Sequence, residues 1–372
     1  MSHSLPQLES KPSHTVPGLA LLPGLAVCAG IAALATVVGR LVPVIGAPVC
    51  GIVFGVALGV VLRKRSLDIR LQPGVAFSSR TVLQLAIVVL GSGLSLAEVA
   101  HTGLSSLPVM LGTLSLALVA AWGVGRLLGI DGDLRTLIGV GTGICGASAI
   151  AATTAVIGAA EADVAYAIST IFAFNVIAVL TYPTLGHLLG LSQHAFGLWA
   201  GTAINDTSSV IAAAYTYGLA AGNYGVVVKL TRTLMIIPIT IALAVMTRRR
   251  ESAVAGAAEA AARERAGEPP AKTAAGRPAR RRIRLWQLVP WFLIGFLVAA
   301  GLNSLGAVPQ GAHSPLSTLS LFLITMALSG IGLSTRPRQL RSAGLRPLAL
   351  GAILWATVGI SSLLLQAAIG LH

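Results

Sequence analysis

The sequence has few charged residues, few aromatics and few cysteines, and each shortage excludes a class of protein. Only 10% of the 372 residues are charged, whereas 55% are apolar and the mean hydropathy is +0.84. Soluble domains carry about 25% charged residues. The three cysteines lie apart in apolar runs, which excludes a disulfide framework and a clustered metal site. The composition therefore excludes a soluble enzyme and a disordered protein, and it is typical of a polytopic membrane protein.

Eleven apolar runs are long enough to cross about 30 Å of hydrocarbon as helices. Because a backbone in lipid must satisfy its own hydrogen bonds, we predict an all-α membrane protein of about 11 transmembrane helices. The third run is short and contains Gly91 and Gly93, so an interruption is expected there. The predicted spans are Leu19–Gly39, Val44–Leu62, Thr81–Leu96, Ser105–Leu128, Leu134–Gly158, Val164–Leu188, Phe196–Thr216, Val226–Met246, Trp286–Leu305, Leu316–Ser334 and Pro347–Leu371.

The basic residues are distributed unevenly between the predicted loops. Loops after even-numbered spans hold 22 of the 26 Lys and Arg residues, whereas loops after odd-numbered spans hold only Arg40. The positive-inside rule then places the N-terminus in the cytoplasm and the C-terminus on the periplasmic or extracellular face of the inner (plasma) membrane. This topology accounts for the net charge of +14, so we expect the lipid bilayer, and no nucleic acid, as a partner.

The same pattern divides the chain into four parts. Residues 1–17 are predicted to form a polar cytoplasmic tail without a cleavable leader, and residues 18–246 are predicted to hold helices 1–8. Residues 247–285, rich in Ala, Arg and Pro, are predicted to form a flexible or loosely helical cytoplasmic linker. Its cluster Arg280–Arg282 could alternatively touch anionic lipids. Residues 286–372 hold helices 9–11.

Two internal repeats indicate discontinuous helices in inverted repeats. The run Gly91-Ser-Gly-Leu-Ser95 recurs 239 residues later as Gly330-Ile-Gly-Leu-Ser334, in a span predicted to run in the opposite direction. Inverted repeats are typical of secondary transporters. A second similarity relates residues 141–150 to residues 201–210, two spans apart. Those copies are predicted to be parallel, which does not fit a simple inverted duplication, and chance similarity is the alternative.

Ionisable groups within the spans mark the candidate site. Among the 12 acidic residues only Asp206 lies in a span, and among the basic residues only Lys229 and Arg232 lie more than two residues from a span end. Such a group costs about 2.5–3.5 kcal/mol on insertion scales, so it suggests a functional role. A structural Asp–Arg pair is the alternative for Asp206, and Lys229 could instead snorkel to the outer surface. The lone polar residues Gln84 and Asn175 are expected to form interhelical hydrogen bonds.

A glycine-rich run opens the fifth predicted span. The residues Gly139-Val-Gly-Thr-Gly-Ile-Cys-Gly-Ala-Ser148 include four glycines, each of which weakens a helix by about 1 kcal/mol. A half-helix that begins near Gly146 would direct its positive N-terminal dipole and the Ser148 hydroxyl at an anion. Close packing of helices through small residues is the alternative.

These residues also carry a resemblance to a known family. The stretches Gly141–Ala152, Leu198–Val210, Val228–Met235 and Pro290–Phe292 resemble the YeiH-type bacterial inner-membrane proteins, a family named as sulfate exporters. The resemblance runs from about Leu19 to the end. It implies the broken-helix, inverted-repeat fold of the bile-acid symporter and sodium/proton antiporter superfamily. The family motif residues fall on Gly143, Cys145, Gly146, Ser148, Asp206, Lys229 and Arg232, and Asn205 replaces a His that is common in the family.

We therefore expect a secondary transporter of a small anion, a sulfate or sulfite exporter in particular, rather than an enzyme. An importer of small organic acid anions and, less favoured, a membrane-embedded enzyme or sensor or a channel are the alternatives. A coupling proton or sodium ion and a homodimer are left open, and no cofactor, metal site or catalytic residue is predicted. The expected substrate-binding residues are Gly143, Cys145, Gly146, Ser148, Thr202, Asn205, Thr207, Ser208, Lys229 and Arg232, with Asp206 as the coupling or gating residue.

Overall fold

The computed structural model describes residues 20–41, 46–64, 68–266, 290–335 and 344–371. Of these residues 88% are helical and none lies in a strand, which confirms the all-α prediction. A π-helical turn occupies Ser78–Val82. The helices are α1 (Leu22–Leu41), α2 (Gly46–Lys64), α3 (Asp68–Phe77), α4 (Leu83–Gly91), α5 (Leu96–Leu127), α6 (Gly132–Gly143), α7 (Ala147–Ile157), α8 (Glu161–Leu188), α9 (Gln193–Ala203), α10 (Thr207–Tyr217), α11 (Leu219–Thr233), α12 (Ile236–Ala266), α13 (Trp291–Ser304), α14 (Gln310–Ser334) and α15 (Leu345–Ala368).

Within the described residues, eight helical segments are long and apolar enough to cross a membrane. Each has 18 residues or more, and this length follows from a predominantly apolar composition. The helix α13 is shorter, at 14 residues. The chain is therefore a polytopic membrane protein. The eight segments are Leu22–Leu41, Gly46–Arg63, Arg70–Gly91, Leu96–Leu127, Glu161–Leu188, Leu219–Arg249, Gln310–Ser334 and Leu345–Ala368.

The predicted span Leu134–Gly158 is instead a helical hairpin, formed by α6 and α7 and called hairpin 1 below. Ile157, at the end of α7, packs in the same apolar cluster as Leu134 near the start of α6. The next helix, α8, begins beside that start, because Asp163 interacts electrostatically with Asp131 and Asp133. The chain therefore enters and leaves hairpin 1 at the same end.

The predicted span Phe196–Thr216 is also a hairpin, formed by α9 and α10 and called hairpin 2. At the end of α10, the Tyr217 hydroxyl donates to the carbonyl of Leu191, and its ring stacks on Phe196 at 3.9 Å. Gln193, the first residue of α9, accepts hydrogen bonds from the N–H groups of Ala220 and Ala221. The end of hairpin 2 thus lies against its own beginning.

The basic residues could not reveal these hairpins. Replacing two spans by two hairpins exchanges the sides of residues 158–164 and 188–196, and neither segment contains a Lys or Arg. The positive-inside count is therefore identical for both arrangements. The eleven-span prediction fails at these two runs, although the predicted sides of the two termini stay the same.

Two boundaries also differ from the prediction. The third segment begins at Arg70 rather than Thr81 and ends at Gly91, so Arg70 and Arg80 lie in a helix and not in a loop. The helix α12 continues to Ala266, so the first half of the predicted linker is helical. The predicted tail, residues 1–17, and the rest of the linker, including Arg280–Arg282, lie outside the described residues.

The helices form two bundles. The panel consists of α1–α4, α13 and α14, and the core bundle consists of α5–α12 and α15. In the panel, the α3–α4 segment and α14 pack in opposite directions, because Ser78 donates to the Met326 carbonyl and Ser320 donates to the Ala86 carbonyl. The repeats that end at Ser95 and Ser334 are therefore inverted, as the sequence indicates.

Candidate functional site

The two hairpin tips meet inside the core bundle. Hairpin 1 packs along the first half of α8, and the base of hairpin 2 lies at the end of α8, where Tyr217 reaches the Gly186 carbonyl at 3.3 Å. The hairpins thus enter from opposite ends of α8. A Cβ placed on Gly146, at the first tip, would lie 3.6 Å from the Asn205 carbonyl at the second.

This arrangement resolves the second sequence repeat. The copies at 141–150 and 201–210 are the tips of the two hairpins, and one spanning helix, α8, separates them. Because the hairpins enter from opposite ends, the copies are inverted and not parallel. The prediction of parallel copies was wrong because it counted each hairpin as a full span.

Lys229 lies between the two tips and does not snorkel. Its side chain is fully buried, and its Nζ donates to the carbonyls of Ile144 at 2.9 Å and Ile204 at 2.8 Å. These two carbonyls follow the last turns of α6 and α9. Carbonyls at a helix C-terminus lack partners within the helix and carry the negative end of the dipole. Lys229 therefore neutralises both half-helix ends at once.

Arg232 repeats this pattern one turn along α11. It is also fully buried, and its guanidinium donates to the carbonyls of Thr202 and Thr142, the latter at 3.2 Å. The two pairs of acceptors, 142 with 202 and 144 with 204, are each related by 60 residues, the offset of the sequence repeat. The two cations thus hold equivalent positions of both hairpins.

Sequence reasoning missed the carbonyls of Thr142, Ile144 and Ile204 as acceptors. A backbone carbonyl leaves no trace in side-chain chemistry, so composition and spacing could not identify it. The one available signal was the repeat itself, because equivalent positions in two copies suggest that one group contacts both.

Asp206 caps the second tip. Its carboxylate accepts hydrogen bonds from the N–H of Ser208 at 3.0 Å, the N–H of Ser209 at 3.3 Å and the Ser208 hydroxyl. A carboxylate in this position satisfies free N–H groups at the start of α10 and favours its positive dipole end. Ser208 is consequently committed to Asp206, and the bonds that these two residues make do not reach Arg232.

The equivalent position in the first tip is Gly146, and no side chain caps α7. Gly146 has φ +67° and ψ −129°, a backbone conformation that only glycine adopts easily. Ala147 and Ser148 in the first turn of α7 are exposed. The first tip therefore presents free N–H groups and a hydroxyl at a helix N-terminus, an arrangement that binds anions.

The remaining expected site residues either form hydrogen bonds within the bundle or are buried or partly buried near the tips. The Thr202 hydroxyl is bonded to the Leu198 carbonyl and to Ser362, which sequence reasoning also missed. Thr207 is partly buried beside the tip, whereas Gly143 and Cys145 are buried in hairpin 1.

Three interhelical hydrogen bonds confirm the expectation for the lone polar residues. Asn175 on α8 accepts from the N–H groups of Asn205 and Asp206 at 3.2 and 3.3 Å, so it fixes the second tip. Gln84 accepts from the indole of Trp291 at 3.0 Å, far from the tips.

Three buried polar atoms near the tips have no hydrogen-bond partner among the described residues. They are Thr142 Oγ1, Asn205 Oδ1 and Arg232 Nε. An unpaired buried polar group costs about 1–3 kcal/mol, so such groups are expected to meet water or a ligand. The formal charges at the tips are those of Lys229, Arg232 and Asp206, and they sum to +1. The two negative and two positive half-helix ends offset each other, so the formal charge of the site stays at +1.

The bundles are in contact at one end and separated at the other. Near the base of hairpin 2, α10 packs on α2, and the Leu96 N–H donates to Ser304 across the bundles at 2.7 Å. Toward the base of hairpin 1, a cavity of about 250 Å³ separates α8 from α14. Its lining includes four hydroxyl-bearing residues, Ser79, Ser169, Ser334 and Thr335. This cavity therefore lies between the two bundles at the hairpin 1 end.

In the part of the chain that the structure describes, no group of three His, Cys, Asp or Glu side chains could hold a metal ion. The described cysteines, Cys28, Cys50 and Cys145, are all free and buried. The polar groups that converge are thus two cations, one carboxylate, hydroxyls and backbone groups.

Comparison with known proteins agrees with the membrane fold. A family model described as "Conserved hypothetical protein 698" matches residues 23–351. The chain is 41% identical over 346 residues to a UPF0324 membrane protein of Streptococcus pneumoniae, with 91% of this chain and 94% of that protein covered. It is 40% identical over 337 residues to one of Streptococcus pyogenes (90% and 93% covered) and 36% identical over 353 residues to one of Fusobacterium nucleatum (90% and 94% covered). The chain therefore belongs to the UPF0324 membrane protein family.

Proposed function

We propose that this protein is a secondary transporter of a small anion. The observation that carries the proposal is the meeting of two opposed hairpin tips around a formal charge of +1, with the N-terminus of α7 free. Half-helix termini that meet inside a membrane bundle are the usual substrate sites of secondary transporters. A positive charge there has no stabilising counterpart in lipid, so an anionic ligand would complement it.

Three groups have the chemistry to bind this anion. The N–H groups and hydroxyl at Ser148 would donate to its oxygens, and Arg232 Nε is a further unpaired donor. Lys229 and the rest of the Arg232 guanidinium are bound to carbonyls, so we assign them to positioning both tips and only indirectly to the substrate. Asp206 would set the net charge of the site and is the candidate for coupling or gating.

A sulfur oxyanion, sulfate or sulfite, is our preferred substrate because of the family resemblance in the tip sequences. We place the site in the inner membrane with hairpin 1 opening to the cytoplasm, as the distribution of basic residues favours. Movement of the core bundle against the panel would close the cavity between α8 and α14 and open the opposite end. Export is the direction that the resemblance implies.

Flux of radiolabelled sulfate and sulfite in proteoliposomes tests this proposal, with and without a pH gradient. Wild type should transport at least one anion, and Ser148→Ala should reduce the rate severalfold. The matched control is Ser317→Ala, which removes an exposed hydroxyl on α14. If the protein transported only small organic acids, the substrate class would be organic acid anions and not sulfur oxyanions. No flux of any anion by folded protein would refute the transporter.

A further inference from the structure

The carbonyl groups at the hairpin tips are the groups that bind coupling cations in other transporters. Unwound carbonyls and the C-terminal ends of half-helices coordinate Na⁺ at such sites. Here the acceptors are the carbonyls of Ile144 and Ile204, which follow α6 and α9, and both already accept hydrogen bonds from Lys229. Their position between the two hairpins is thus occupied by a cation that belongs to the chain.

We propose that the Lys229 ammonium is a built-in substitute for a coupling cation, so that the transport cycle uses no sodium ion. This inference rests on the proposed transport function, which it deepens by naming the coupling. The ammonium lies 2.9 and 2.8 Å from the two carbonyls and is fully buried, so a sodium ion cannot share the position. Like-charge repulsion would add to that steric exclusion.

Arg232 supplies a second built-in cation in the same way. Its guanidinium joins the carbonyls of Thr142 and Thr202, the equivalent pair one turn away. Four carbonyls from two half-helix ends therefore have cationic partners supplied by a single helix, α11. Because α11 supplies both cations, the tips of the two hairpins are tied together and move as one unit, whatever the occupancy of the anion site.

Thermal unfolding of the purified chain tests, without any flux measurement, whether Lys229 takes the place of a coupling cation. Sodium and choline chloride at equal ionic strength should give the wild type the same unfolding temperature, because no sodium site is vacant. A ligand that binds only the folded state raises that temperature. A sodium-specific rise in the wild type would overturn the inference, and this measurement needs no variant.

Chemical rescue is the second measurement. Lys229→Ala should lower the unfolding temperature, and ethylammonium, which replaces the lost N–H donors, should restore several degrees of it. Tetramethylammonium has the same charge but no N–H group and should not. The matched control is Arg63→Ala, which also removes a cation bound to a backbone carbonyl, that of Thr335 at 2.7 Å, away from the tips. Ethylammonium should not stabilise that variant.

Failure of this inference is distinguishable from failure of the transport proposal. Folded Lys229→Ala that no cation stabilises, or wild-type flux that requires sodium, would refute the substitution while leaving anion transport intact. Absence of flux combined with selective rescue by ethylammonium would support the cation position and refute transport.

Discussion

At the scale of single residues, Asp206 has two roles that one substitution can separate. Its carboxylate caps α10, and its charge lowers the net charge of the tips to +1. Asparagine also caps helices well, so Asp206→Asn keeps the cap and removes only the charge. Alanine removes both, at a cost of about 1 kcal/mol for the cap.

We expect Asp206→Asn to reduce anion flux at least tenfold while its unfolding temperature stays within a few degrees of wild type. Asp206→Ala should lose the flux and also unfold at a lower temperature. Proteoliposome flux and thermal unfolding on the same preparations check both expectations. Wild-type flux in Asp206→Asn would end the coupling or gating role of the charge.

At the scale of elements, the hairpins determine which segments share a side of the membrane. If Leu134–Gly158 and Phe196–Thr216 were spans, residue 160 would lie outside and residue 189 inside. With hairpins these positions are exchanged, and both side chains are exposed. The two topologies therefore give opposite labelling patterns.

We expect an impermeant maleimide to label Leu189→Cys in intact cells and to label Ala160→Cys only after the cells are opened. The native cysteines are buried and should contribute little background. The reverse labelling pattern would show that both runs cross the membrane as spans. Flux measurements on both variants would show that the labelled protein is folded.

At the scale of the whole molecule, the proposed transport cycle requires access to the tips through the gap between panel and core bundle. The bundles touch at the hairpin 2 end, and the cavity between α8 and α14 lies toward the other end. Ser169 lines this cavity from α8, whereas Leu180, in the second half of the same helix, is 55% exposed. A modification at position 169 thus affects the cavity, whereas one at position 180 affects the exposed surface of the same helix.

Alkylation of Ser169→Cys by N-ethylmaleimide should abolish most anion flux, because the added group fills a cavity of about 250 Å³ that must close. The same treatment of Leu180→Cys should leave the flux unchanged. Equal inhibition of both variants would mean that alkylation acts on α8 in general and not on the cavity.

Much of the fold follows from composition and periodicity. Long apolar runs must be helices in lipid, and the positions of Lys and Arg indicate the sides of the loops. The rarity of charge within these runs identified Asp206, Lys229 and Arg232, and the repeats identified the two tips. These features depend on local sequence, so they can be predicted from the sequence alone.

Tertiary structure alone decided the rest. Whether a glycine-rich run crosses the membrane or turns back depends on contacts such as Tyr217 with Leu191, which join residues distant along the chain. The two runs, of 25 and 21 residues, have the same composition in either case, and the connecting loops carry no Lys or Arg to tell them apart. The partners of Lys229 and Arg232 are likewise backbone carbonyls, which every residue has, so only the folded chain could show which ones they neutralise.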